Sequence, residues 1–112
     1  MNITRRLSRA APALALALLA AACTSASPRP ESPVQRGQAL FVEQGCYGCH
    51  TVRGTGTPIA NDLSHVGGKY SEAELARRVR DPTLHKPGAH MPTLELTDAQ
   101  VRALAAYLAT LR

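Results

Sequence analysis

Two cysteines separated by two residues and followed at once by a histidine, Cys46-Tyr47-Gly48-Cys49-His50, constrain this 112-residue chain more than any other feature. Each thiol at that spacing can add across one vinyl group of a single haem. The histidine next in line is then held beneath the iron as its proximal ligand. Two blander readings compete. A reducible Cys-x-x-Cys pair wants a βαβ context, and a zinc site wants two further ligands at finger-like spacing. The residues after His50 supply neither. One covalently bound haem c is therefore expected, held through Cys46, Cys49 and His50. With one Phe, three Tyr and no Trp, the chain has few large side chains for a core. The apolar faces of the porphyrin would supply its centre.

Residues 1–22 read as an export signal rather than as structure. Arg5, Arg6 and Arg9 form a basic leader, and Ala11 to Ala22 is mostly alternating Ala and Leu. A helix over that stretch would reach about 18 Å, short of a bilayer core of roughly 30 Å. The Arg5-Arg6 pair resembles a twin-arginine signal only faintly, and Leu7-Ser8-Arg9 fits that pattern poorly. Haem attachment to an open chain beyond the membrane favours a Sec-type route. Ala20-Ala21-Ala22-Cys23 resembles a lipoprotein cleavage box, in which Cys23 is acylated and becomes the first residue. Ordinary cleavage nearby is the alternative. Acylation accounts for a third, unpaired cysteine in an exported protein. Residues 23–31, rich in Ser, Pro and Ala, read as a flexible tether. The folded domain is expected over 32–112, near the lower size limit for an unaided core.

The charge follows the same division. Of 13 Lys and Arg, three precede Cys23, leaving ten basic against eight acidic residues. Two haem propionates would largely cancel the remainder, so nucleic acid is not a supported partner.

Three helices are expected. Ser32 caps the first, with Pro33 at its first position and Gln35 completing a capping box. Gly37, Leu40, Phe41 and Gln44 share a face, and Gly45 suits the stop. Ser71-Glu72-Ala73-Glu74 starts the second with a capping box, Leu75, Ala76 and Val79 form its apolar side, and Asp81-Pro82 ends it. Thr97-Asp98-Ala99-Gln100 caps the third, along which Val101, Leu104, Ala105, Leu108 and Leu111 recur at helical spacing. No strand signal competes, so the expected class is all-α. The irregular stretches 51–70 and 82–96 are too long for a compact domain unless each wraps one face of a flat macrocycle.

Met91, beside Pro92 in the second of these loops, is the candidate sixth ligand. It is the only methionine after Met1. A thioether paired with histidine suffices for low-spin iron and raises its potential. The plain alternative is a gap-filling side chain, but a polar loop offers little core to fill. His65, His85 and His90 compete for the position, His90 most directly, and each also reads as a solvated loop residue. The outer ring nitrogen of His50 needs an acceptor, sought among backbone carbonyls of 58–63.

These residues together resemble a class I, monohaem cytochrome c. Similarity is greatest to the cytochrome domains appended to subunit II of haem–copper oxidases. It rests on Gly37, Leu40, Phe41, the Gly45–His50 run, Asp62-Leu63, Arg80-Asp81-Pro82, Lys86-Pro87-Gly88, Met91-Pro92 and Leu104–Leu108. The resemblance implies thioether links at Cys46 and Cys49, axial ligation by His50 and Met91, and a crossing of the first and last helices near Gly37, Phe41 and Tyr107. The family commonly has Gly-Pro-Asp-Leu where this chain has Ala60-Asn61-Asp62-Leu63. The carbonyl that receives the His50 proton then belongs to Asn61, or to Pro58 in a shifted loop. Tyr70, Lys69 and Arg53 are candidates to reach propionates, with solvated positions the alternative for each.

No Ser/His/Asp set, paired buried carboxylates or phosphate loop is recognisable, so a one-electron carrier rather than an enzyme is expected. Its partner would be a membrane redox complex, such as a terminal oxidase or that oxidase's electron donor. Its place would be the periplasmic side of a bacterial membrane, lipid-anchored at Cys23 or otherwise soluble, as a monomeric domain. A permanently bound electron-transfer subunit of a larger oxidoreductase is the runner-up. A haem-based ligand sensor or peroxidase, in which Met91 leaves the iron, is the different-class alternative.

Overall fold

The structure, a computed structural model, describes residues 27–112. The expected export signal over 1–22, the acylation site Cys23 and the start of the 23–31 tether lie outside the described residues. Residues 27–32 are exposed and form no regular element. None of the described helices is long and apolar enough to cross a membrane.

Helix α1, Pro33–Glu43, begins on a complete capping box. Gln35 N–H donates to Ser32 Oγ at 3.2 Å, and Ser32 N–H to Gln35 Oε1 at 2.9 Å, so two of the free donors at a helix start are satisfied reciprocally. The helix ends at Gln44, and Gly45 follows in the left-handed region with φ +73°. That conformation is cheap only for glycine. Gly37, Leu40 and Phe41 are buried as expected, but Gln44 at the end of that face is exposed.

Helix α4, Asp98–Ala109, opens on the second complete capping box, between Thr97 and Gln100. Val101, Leu104, Ala105, Leu108 and Leu111 are all buried, and Ala103 and Tyr107 join them. The helix stops two residues short of Leu111, whose carbonyl accepts Gly67 N–H at 2.7 Å. α1 lies across α4, with Gly37 directly over Ala103 and Tyr107. Phe41 packs edge-on against Tyr107, ring centroids 5.6 Å apart, and against Tyr47 at 4.8 Å. This aromatic chain connects the helix crossing to the cysteine motif. The crossing stands where the sequence resemblance puts it.

Helix α3, Glu72–Arg80, packs Leu75 and Val79 against α4. Its cap is half of what the sequence suggests. Ser71 Oγ accepts Glu74 N–H, but the Glu74 side chain does not return to Ser71. The carboxylate turns to Arg77 at 2.6 Å and Arg78 at 3.1 Å instead, because charge-assisted bonds outcompete one more neutral backbone donor.

The domain is helix-dominated, in keeping with the expected all-α class, and two small elements add to its three main helices. A hairpin of β1, Thr51–Val52, and β2, Thr55–Gly56, pairs Thr51 with Gly56 and Val52 with Thr55. Its turn residues Arg53 and Gly54 have φ +49° and +80°, the positive pair that tight hairpins require. Arg-Gly is a weak sequence cue for such a turn. Helix α2, Val66–Lys69, is a single turn. It packs against the end of α4, where Gly67 lies so close to the Ala109 and Leu108 carbonyls that a side chain would not fit.

Candidate haem site

The motif follows the αL turn at Gly45. Cys46–Gly48 forms one 3-10 turn, closed by Gly48 N–H to the Gly45 carbonyl at 2.9 Å and His50 N–H to the Cys46 carbonyl at 2.9 Å. The compact turn carries both cysteines as free thiols, Cys46 half-buried and Cys49 exposed. Burial pushes the Cys46 thiol above its ordinary value. A reactive redox pair needs the opposite, a thiol drawn down toward neutral pH. Among the described residues no group of three or more metal-binding side chains assembles that would complete a zinc site.

His50 is oriented by the chain itself. Its Nδ1 lies 2.7 Å from the Asn61 carbonyl oxygen. A carbonyl can only accept, so the proton resides on Nδ1, and the Nε2 lone pair of the neutral ring is left free for a metal. Of the two acceptors left open by the sequence, Asn61 and Pro58, the bond goes to Asn61. The loop reaches this position through Ala60 N–H to the Cys49 carbonyl at 2.7 Å and Leu63 N–H to the Thr51 carbonyl at 2.8 Å. On the other side Gly56, at φ +109°, comes close enough to the His50 carbonyl that a Cβ would overlap it. The hairpin thus closes over the histidine backbone.

Met91 lies in the 82–96 loop, which contains no regular element. Met91 is half-buried and its neighbour His90 is exposed. Two anchors hold this loop. Arg80 Nη1 and Asp98 Oδ1, 2.7 Å apart, join the residues flanking its ends. His85 Nε2 stands 2.8 Å from Glu74 Oε1 of α3, which gives that histidine a structural partner. His65 is exposed at the start of α2. Of the four candidates for a sixth ligand, Met91 is the one that is not solvent-exposed.

Among the propionate candidates, Tyr70 carries the Arg78 guanidinium 3.9 Å over its ring, while Lys69 and Arg53 are exposed. Burial, followed by the neighbouring Tyr47, raises the Tyr107 hydroxyl above its ordinary value. Tyr107 therefore stays neutral beside the motif. The residue that sequence reasoning missed is Ser64, which is only 5% exposed. The signal for it was Asp62-x-Ser64, a spacing at which an aspartate commonly accepts from the backbone two residues on.

The family model for cytochrome c matches residues 34–112. This chain belongs to the cytochrome c family. Cytochrome c oxidase subunit 2 of Alkalihalophilus pseudofirmus is 31% identical to it over 91 residues, covering 73% of this chain. The chain spans 27% of the length of that relative. Membership makes this a haem-binding electron-transfer domain. The groups present fit the cofactor: two unpaired thiols on one turn, a histidine whose tautomer frees Nε2, and a half-buried thioether on a separately anchored loop.

Proposed function

We propose that this cytochrome c carries one covalent haem c, with thioether links at Cys46 and Cys49 and axial ligation by His50 and Met91. It would serve as a one-electron carrier at the periplasmic face of a bacterial membrane. The observation that carries this reading is the His50–Asn61 bond, which fixes the proximal ring and leaves its metal-binding nitrogen free beside two unpaired thiols. When bound, the haem iron supplies the reversible one-electron couple. His50 is held in one tautomer, and Met91 would complete the coordination sphere, leaving no site for substrate. The aromatic chain Tyr47–Phe41–Tyr107 secures the motif to the helix crossing.

Residues 1–22 would direct export, Cys23 would carry the lipid, and residues 23–31 would link anchor and domain. Tethering raises the local concentration of the domain at a membrane redox complex such as a terminal oxidase. The similarity to an oxidase subunit favours a second reading, a permanently associated electron-transfer subunit of such a complex. Obligate co-purification with a membrane complex separates the second reading from the first.

The test is expression in a host competent to attach haem c, followed by intact mass and reduced and oxidised visible spectra. One added haem and a far-red sulfur-to-iron band in the oxidised protein are expected. A colourless product of unmodified mass refutes the proposal. Met91→Ala should abolish the far-red band and lower the potential by more than the ~59 mV that marks a tenfold change in a one-electron equilibrium. An unchanged spectrum would remove Met91 from the ligand set. Mass analysis of the mature N-terminus tests acylation at Cys23.

A further inference from the structure

We propose that Ser64 and Asp62 form a side-chain clip that positions the Asn61 carbonyl against His50, and thereby lowers the reduction potential of the iron that His50 ligates. This inference rests on the haem ligation proposed above. It identifies Ser64 and Asp62 as positioning residues that act through the Asn61 backbone.

The segment 60–64 runs beside 49–53 and is joined to it by four hydrogen bonds. Ala60 N–H reaches the Cys49 carbonyl at 2.7 Å, and His50 Nδ1–H reaches the Asn61 carbonyl at 2.7 Å. Leu63 N–H reaches the Thr51 carbonyl at 2.8 Å, and Arg53 N–H reaches Ser64 Oγ at 2.7 Å. Three of these bonds have a backbone acceptor; the last depends on one buried hydroxyl. Ser64 Oγ also donates to Asp62 Oδ1 at 2.5 Å, and the same oxygen accepts Ser64 N–H at 2.8 Å. The hydroxyl is therefore used as donor and acceptor at once, and it has a single useful rotamer.

Two features single out this end of the ladder. No proline lies within 60–64 to stiffen the backbone that presents the carbonyl. Arg53, which donates to Ser64, is the only non-glycine among the described residues with positive φ. Such a residue persists only where its surroundings impose it. The hairpin turn sets that conformation here, and the Ser64 hydroxyl braces it by accepting the Arg53 N–H directly. Hydrogen bonds from Ser64 also hold the Asp62 carboxyl below the usual carboxylate range, so the acceptor stays ionised at neutral pH.

A firmly placed carbonyl draws electron density toward the imidazole. The ring becomes a better donor and favours the ferric state. Loosening the clip should therefore raise the potential. Severing it in Ser64→Ala should shift the reduction equilibrium by up to about tenfold, or ~59 mV for a one-electron couple.

The experiment uses the holoprotein and reads two quantities, the midpoint potential and the exchange rate of the His50 Nδ1–H by NMR. Ser64→Ala is expected to raise the first and speed the second. Ser64→Thr, which keeps the hydroxyl, should restore both. Ser71→Ala removes a comparable serine hydrogen bond from the start of α3 and should lower stability without moving the potential. If Ser64→Ala does not mature, the exposed Asp62→Ala decides with the same readouts. A haem-loaded Ser64→Ala or Asp62→Ala protein with wild-type potential and exchange overturns the clip and leaves the ligation intact. So does a potential that moves equally in Ser71→Ala. A wild-type protein without haem overturns the ligation, and the clip's redox role with it.

Discussion

Substituting Gly37 by alanine probes the contact on which the rest of the domain is built. An ideal Cβ at Gly37 would stand 2.7 Å from both Tyr107 Cβ and the Ala103 carbonyl carbon, and closer still to the Ala103 oxygen. Carbon atoms not bonded to each other rarely approach within 3.0 Å. The obstacle is the backbone of α4, which cannot rotate aside as a side-chain end would, so α1 must lift away. Overpacking of this kind costs roughly 1–3 kcal/mol, and an immovable neighbour places it at the upper end. Alanine returns about 1 kcal/mol through its better helix propensity. A net loss of about 2 kcal/mol follows, or roughly 8–16 °C in melting temperature for a domain of this size. Thermal unfolding of the haem-loaded protein followed by far-ultraviolet circular dichroism measures it. Gly68→Ala is the control, because a Cβ there meets nothing within 4 Å; its melting temperature should hold or rise. A Gly37→Ala protein melting at or above wild type would refute the close-crossing reasoning. Equal losses in both variants would assign the effect to glycine itself rather than to the crossing.

Removing the α4 cap by Thr97→Ala abolishes the acceptor for Gln100 N–H and should cost about 1 kcal/mol, read as a fall in denaturant midpoint with unchanged slope. Acid should weaken the fold in a defined direction. Hydrogen bonds hold four carboxyls below their ordinary values: Asp62 by Ser64, Glu74 by Arg77, Asp81 by Thr83 and Asp98 by Arg80. Each contributes stability that is complete above its unfolded value, about pH 4, and is lost as pH falls through its lower folded value. Denaturant midpoints should thus be level from neutral to about pH 5 and decline below about pH 4; a midpoint that rises on acidification contradicts these assignments. High salt should remove part of the effect at Glu74 and Asp98, whose partners are exposed arginines.

Much of the architecture was legible because local chemistry and tertiary need agree in it. Ser32 with Gln35 and Thr97 with Gln100 mark helix starts that would form in the same place in many contexts. Gly45 ends α1 through a conformation that other residues resist. The apolar period of α4 names five core positions correctly, since one face of a helix either meets the core or does not. The half-cap at Ser71 departs from expectation because Glu74 has charged partners that lie beyond the 71–74 capping window. His85, in the loop beyond the helix, is a further partner.

What the chain determines by itself is its chemistry: which thiols can take a cofactor, which imidazole follows them, and where each long helix begins. Covalent spacing is independent of the fold, and the backbone half of each cap is a local property. Only the tertiary structure decided that the Asn61 carbonyl receives the His50 proton, that Met91 is half-buried while His90 is exposed, and that Gly67 packs against the end of α4. Those outcomes depend on segments ten or more residues apart meeting at hydrogen-bond or van der Waals distance. No propensity of the separate pieces encodes such a meeting.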